Sequence, residues 1–303
     1  MHGSDVNDRM DDAYLIQTTQ LNPDPQLIDL GIGQPQLALL PLERLRQAAA
    51  RRFAQGRPDF LQYGAEQGDG YLRRALAGFL SQGYGFPVEP GELFITNGAS
   101  QGLDLACTLF TRPGQAVFVE EPTYFLALRV FADHGLRPVA IPMDQDGLDI
   151  QALEAALAHE RPALLYTVPT FQNPSGETLS AARRARLAAL SREHGFLVVA
   201  DEVYHFLDYS ARPPRPMAGY LAEGEVLSLG SFSKILAPGL RLGWIQAGPA
   251  RLKALAGCGL LDSGGGLNPF TSAIVRGVLE AGQLAANIAE LRAVYAARLA
   301  ALE

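Results

Sequence analysis

Phe196-Leu197-Val198-Val199-Ala200 is a run of five apolar residues, and it follows a helical stretch from Ala181 to His194. A run this apolar has no polar face to offer to water, so it reads as a strand covered on both sides. The same pattern recurs in both directions along the chain. Upstream lie Leu93-Phe94-Ile95-Thr96, Ala116-Val117-Phe118-Val119, Pro138-Val139-Ala140-Ile141 and Ala163-Leu164-Leu165-Tyr166-Thr167-Val168. Downstream lie Val226-Leu227-Ser228-Leu229 and Leu242-Gly243-Trp244-Ile245. Apolar strands alternating with helices predict an α/β fold: three α-β-α layers around a mostly parallel, seven-stranded sheet. Ligands of such sheets bind beyond the carboxyl ends of the strands, so the residues after each strand are the candidates for chemistry.

Composition narrows the classes. The chain has 303 residues, 48% hydrophobic and 19% charged, with a formal net charge of -7. An acidic chain without a basic run is a poor match for nucleic acid. No apolar run reaches the ~20 residues of a membrane span. The first residues, with Asp5, Asp8, Asp11 and Asp12, do not have the layout of a secretory signal. Cys107 and Cys258 read as buried thiols, and the cytoplasm is the expected compartment. Of 25 basic residues only Lys234 and Lys253 are lysines. Arginine stands wherever a charge suffices, so a retained lysine raises the question whether an amine is needed. Lys253 reads as an exposed helix position. Lys234 sits in a hydroxyl-rich turn after a strand.

The strand exits supply a consistent set. Thr96-Asn97-Gly98-Ala99-Ser100-Gln101-Gly102 is a small-residue turn opening a helix, a shape that offers backbone N–H groups to phosphate. Glu120-Glu121-Pro122-Thr123-Tyr124 places an aromatic ring at the next exit. Val168-Pro169-Thr170-Phe171-Gln172-Asn173-Pro174 brings an amide donor. Asp201 follows a buried strand directly, where a charge is costly without a partner. Ser231-Phe232-Ser233-Lys234, followed by Arg241, combines hydroxyls, an amine and a guanidinium. Lys234 is expected to have a lowered pKa among neighbouring cations. Singly, each has an ordinary reading: a bare turn, a core tyrosine, an Asn-Pro loop, an N-cap. Jointly they offer an imine-forming amine, an anion cradle, an acid for a ring nitrogen and a stacking ring.

These motifs resemble the class I/II, fold-type-I pyridoxal phosphate (PLP) aminotransferases, above all in Ser231-Phe232-Ser233-Lys234 and Pro238-Gly239-Leu240-Arg241-Leu242-Gly243. The resemblance runs from about Ile28 to Glu303 and looks nearest to the 2-aminoadipate and kynurenine branch, which includes the aminotransferase-like half of MocR-type regulators. It implies that Lys234 forms the covalent imine with PLP and then shuttles a proton. It implies that Asp201 pairs with the pyridine nitrogen, that Asn173 and Tyr204 bond to the phenolate oxygen, and that Tyr124 stacks on the ring. Ala99, Ser100, Gln101, Ser231, Ser233 and Arg241 would hold the phosphate. Tyr63 would reach the phosphate of a partner subunit in a homodimer with shared sites. Gly33 would sit in a flap touching substrate, with Asn173 also near it. The substrates implied are an amino acid and a 2-oxo acid; no metal, membrane or nucleic acid is implied.

The resemblance also sets domain expectations: an N-terminal arm and flap over 1–44, a large PLP domain over 45–282, and the start of a truncated small domain over 283–303. Leu284, Ile288, Leu291, Tyr295, Leu299 and Leu302 predict a long amphipathic helix at that end, with its apolar face left uncovered. Family members continue for roughly 90 more residues, a region that carries the arginine for the substrate carboxylate. No arginine after Arg241 sits in a matching context, so PLP binding with poor turnover is expected of these 303 residues. The alternatives are a β-lyase on the same scaffold, or a catalytically impaired PLP-binding fragment or regulatory subunit. An NAD enzyme is disfavoured, since no Gly-x-Gly-x-x-Gly turn follows the first strand.

Overall fold

The computed structural model describes residues 33–208 and 214–302. Most of the expected arm (residues 1–32) and most of the expected Ser210–Pro216 loop (residues 210–213) lie outside the described residues. Those described divide into two units, one ending at Ala38 and one beginning at Leu39. The sheet and its helices all belong to the second unit.

Eight strands form one sheet: β1 Leu93–Thr96, β2 Ala116–Glu121, β3 Arg137–Asp144, β4 Gly147–Leu148, β5 Leu164–Thr167, β6 Leu197–Asp201, β7 Val226–Ser231 and β8 Gly243–Ala247. Their order across the sheet is β1-β8-β7-β6-β5-β2-β3-β4. The seven expected strands are all present. The eighth, β4, is a two-residue partner that pairs antiparallel with the end of β3, too short to leave a periodic signal. The pairs β7–β6, β6–β5, β5–β2 and β2–β3 are parallel. Strand β8 runs antiparallel to both β1 and β7. Two reversals restore direction, so the carboxyl end of β1 lies at the same sheet edge as those of β2, β5, β6 and β7. The start of β8 lies there too.

Ten helices accompany the sheet: α1 Leu42–Ala54, α2 Gly70–Tyr84, α3 Ala99–Phe110, α4 Phe125–Asp133, α5 Ile150–Leu157, α6 Ala181–His194, α7 Pro249–Ala256, α8 Gly259–Gly264, α9 Pro269–Glu280 and α10 Gln283–Leu302 among the described residues. Alternation along the strands assigns them to two faces. Phe94, Val117, Val119, Tyr166, Val199, Leu227 and Ile245 pack with Ala106 of α3, Phe131 of α4 and Leu255 of α7. Their neighbours Phe118, Leu165, Val198 and Ala200 point the other way, onto Leu153 of α5 and Leu187 of α6. Leu93, Ile95 and Trp244 meet Leu76 of α2 and Val275 of α9 on that second face.

The last helix differs from expectation. Leu284, Ile288 and Leu291 are buried in the core shared with α2 and α9, so the first half of the stripe is covered. Exposure begins further on, with Leu299 at 45% and Leu302 at 82%. No helix among the described residues is long and apolar enough to cross a membrane.

Candidate active site

Strand direction gathers the chemistry. Asp201 ends β6, Ser231 ends β7 with Lys234 three residues on, Tyr124 follows β2, Asn173 follows β5, and Arg241 precedes β8. Asp201 lies on the sheet face that carries Tyr166, and the Tyr166 hydroxyl donates to its Oδ2 at 2.9 Å. The other carboxylate oxygen, Oδ1, is buried and has no hydrogen-bond partner. Burial pushes the Asp201 carboxyl up to about 6, against the opposing pull of Tyr166, the Val203 N–H and the Lys234 ammonium. A buried acceptor without a donor is costly in any fold and marks a place where a cationic N–H would be matched.

Lys234 lies within electrostatic reach of this acid, its Nζ 6.0 Å from the centre of the Tyr204 ring. Its pKa is lowered, and burial is the cause. The expectation that neighbouring cations do this is corrected: the charge that bears on Lys234 is the Asp201 carboxylate, which pulls the other way. Tyr204 is pushed up to about 12, mainly by burial, and its hydroxyl is hydrogen-bonded to the Asn173 side chain. Tyr124 is also raised by burial, with Asp201 adding to it. Lys234, Asp201, Tyr204, Asn173 and Tyr124 therefore form one cluster.

A second group stands at the start of α3. Its N-cap is Gly98, at φ 93°, where a Cβ would lie 3.2 Å from Arg241 Nη2. Arg241 Nη2 donates to the Asn97 carbonyl at 3.3 Å. Arg241 has a left-handed backbone, φ 45°, and its own carbonyl accepts from Asn268 Nδ2 at 2.5 Å. Ser231 Oγ donates to Ser233 Oγ at 2.9 Å and accepts the Ser233 N–H at 3.1 Å. A Cβ on Gly243 would fall 2.7 Å from the Gly230 carbonyl and 2.9 Å from Gly98 Cα, so glycine is needed for β8 to start this close to the β1 turn. The first turn of α3, at Ala99, Ser100 and Gln101, has backbone N–H groups that no helical carbonyl can satisfy. Gln101 uses its side-chain oxygen to accept the Asn97 N–H at 2.7 Å, which leaves its side-chain NH2 and its backbone N–H as donors for an anion. Hydroxyls, a guanidinium and a helix start make a cradle for a phosphate.

Two expected residues stand apart. Tyr63 is 84% exposed and precedes Gly64, which bridges to Gly266. Gly33 is the first described residue and belongs to the shorter unit. Reading the sequence also missed three residues that hold the cluster. Tyr166 reads as core because it lies inside a buried strand. Glu120 is buried and accepts from Thr167 Oγ1, from the Val168 N–H at 3.1 Å and from Gln172 Nε2 at 3.2 Å. Glu202 accepts from Ser228 Oγ at 2.6 Å and the Met217 N–H at 2.8 Å, with Arg184 3.8 Å away. The sequence signal for both glutamates was burial beside a strand end, the same signal that singled out Asp201.

The model of the family "Aminotransferase class I and II" matches residues 25–300. Aromatic-amino-acid aminotransferase 1 of Thermococcus litoralis is 37% identical over 76% of this chain and 56% of its own length. The 2-aminoadipate transaminase of Thermus thermophilus is 35% identical over 82% of this chain and 62% of its own. The chain thus spans little more than half the length of these relatives. The crystal structure of Pyrococcus horikoshii kynurenine aminotransferase, in complex with PMP, superposes with a TM-score of 0.84 at 32% identity, over 98% of this chain and 72% of that one. A family model that covers residues 25–300 and relatives above 30% identity over three quarters or more of the sequence show that this chain belongs to the class I and II aminotransferase family.

Proposed function

We propose that the protein is a PLP-dependent aminotransferase, moving an amino group between an L-amino acid and a 2-oxo acid. The observation that carries this reading is the buried, unpartnered Asp201 Oδ1 beside the Lys234 amine. When bound, PLP supplies an electrophilic carbon and an electron-accepting ring. Asp201 Oδ1 would accept from a protonated ring nitrogen, and the Gly98–Arg241 cradle would hold the phosphate.

Each residue then has a defined task. Lys234, its amine destabilised as a cation by burial, is the nucleophile that takes the cofactor and afterwards carries a proton at Nζ. Asp201 stays ionised opposite a cation and keeps the ring nitrogen protonated. Tyr204, held protonated by burial, and Asn173 donate to the ring oxygen; Asn173 also borders the substrate. Tyr124 covers the ring. Ala99, Ser100, Gln101, Ser231, Ser233 and Arg241 bind the phosphate. Gly33 is assigned a contact with substrate, and residues 45–282 are assigned to a cofactor domain, with a small domain beginning at 283 whose first turns pack on the same core. We further assign the protein to the cytoplasm, as a homodimer in amino acid metabolism.

The test is single-turnover chemistry, which registers slow conversion. With PLP bound, aromatic, acidic and 2-aminoadipate-like amino acids should convert the cofactor to its amine form with one equivalent of 2-oxo acid. A β-lyase would release pyruvate from β-substituted amino acids without forming that amine. Neither product, across the panel, would refute the reading.

The homodimer has its own check. Tyr63 projects from the protomer, and in the proposed dimer it would reach the phosphate of the partner subunit. Sedimentation should find a dimer, and Tyr63→Phe should weaken PLP binding about tenfold, the loss of one hydrogen bond to a charged group. A monomer with full cofactor occupancy would overturn it.

A further inference from the structure

Glu120 lies one residue from the end of β2, where the parallel register of Val119 with Tyr166 sets it beside Thr167 of β5. It is 2% exposed. Three donors converge on its carboxylate: the Thr167 hydroxyl, the Val168 N–H and Gln172 Nε2. Gln172 Nε2 also donates to the Pro122 carbonyl at 2.7 Å, and its Oε1 accepts the Ser175 N–H at 2.9 Å. One buried anion therefore ties together two loops. The first loop leaves β2 and carries Tyr124; the second leaves β5 and carries Asn173.

We propose that Glu120 is a positioning residue whose carboxylate clamps the exits of β2 and β5, fixing Tyr124 and Asn173 relative to Asp201 and Lys234. This rests on the reading that the cluster holds PLP. A carboxylate suits the place because all three neighbours are donors. Glutamine would turn an NH2 against one of them, opening the clamp without changing the volume. The ionisable groups that bear on Glu120 are Arg184 of α6, which lies on its side of the sheet, and Asp201 and Tyr166, which act from the opposite face. Burial holds Glu120 up at about 7, so the clamp's charge sits close to its titration at neutral pH.

Two variants of the full chain test this, Glu120→Gln and the isosteric Thr167→Val, which deletes one donor only. Without cofactor, amide hydrogen exchange should speed up about tenfold over residues 121–125 and 168–176 in Glu120→Gln. The rise should be smaller in Thr167→Val, with residues 197–201 unchanged in both. Unchanged exchange in the two loops overturns the clamp, and Thr167→Val decides alone if Glu120→Gln does not fold. With PLP, both variants should keep the borohydride-reducible adduct at Lys234. Glu120→Gln should bind about tenfold more weakly, as for the loss of one positioned donor. The pH midpoint of the adduct's absorbance should shift with it. Wild-type affinity and midpoint, in a variant whose loops exchange faster, would overturn the positioning role. If the wild-type chain itself forms no reducible adduct, it is the proposed function that fails, and the exchange result still judges the clamp.

Discussion

Replacing Asp201 with asparagine should make the protein more stable without cofactor and chemically inert with it. The two effects share one cause. Burial pushes the Asp201 carboxyl up to about 6, from 3.8 for an ordinary aspartate. Between those values the folded chain holds a proton that the unfolded chain has lost. Stability without cofactor therefore falls as pH rises through that window. A difference of this size corresponds to about 3 kcal/mol at neutral pH, taken as an upper bound. Asparagine has no charge to bury, and its amide oxygen can keep the bond from Tyr166. A gain of about 1–3 kcal/mol is expected, or on the order of 5 °C in melting temperature. With cofactor the sign reverses. The amide donates where the carboxylate accepted, so the chain no longer holds a proton on the ring nitrogen. Loss of so aimed an electrostatic partner costs on the order of 1000-fold in rate. The checks are thermal unfolding against pH without cofactor, and exchange of the substrate Cα proton with it. A variant that exchanges that proton at the wild-type rate, or unfolds with the wild-type pH dependence, would refute the role.

The same physics decides which features are legible in the sequence. Apolar runs bounded by turns locate strands, so the seven longer strands were visible. Pattern alone does not give direction, and the reversal at β8, which carries Arg241 to the active edge, became visible only in the pairing. Lys234 and Asp201 stood out because a charge at a buried strand end is expensive. Tyr166 was not legible, since a tyrosine within Leu164–Thr167 looks like core, and its partner lies 35 residues away. Arg184 misleads in the opposite direction. An arginine in a helix gives no local sign of burial, yet Arg184 is fully buried, donating to the Leu179 carbonyl at 2.8 Å and Thr170 Oγ1 at 2.9 Å. Long-range polar pairing is the layer that local pattern does not encode.

Lys234→Ala should abolish the borohydride-reducible cofactor adduct altogether, while Lys253→Ala, at an exposed position of α7, should leave it intact. Loss of the adduct in the Lys253 variant instead would show that the wrong amine has been assigned. A second measurement reaches the reason Lys234 is reactive. Burial lowers its pKa, so between its folded and unfolded values the unfolded chain binds more protons, and stability rises with pH there. At neutral pH a charged Lys234 is thus a cost, relieved in part by Asp201. Lys234→Met removes that cost but also removes a cation that holds the Asp201 carboxyl down. Asp201 should then titrate higher still, and the pH range over which the cofactor-free protein loses stability should extend further upward from the same lower limit. Adding Asp201→Asn to Lys234→Met should remove the share of that dependence owed to the pair, leaving the share of Glu120, whose carboxyl burial also raises. Contacting groups of this kind are not additive, and the cycle of single and double variants measures their coupling directly. A Lys234→Met protein whose stability tracks the wild-type pH curve would mean that amine and acid are not coupled.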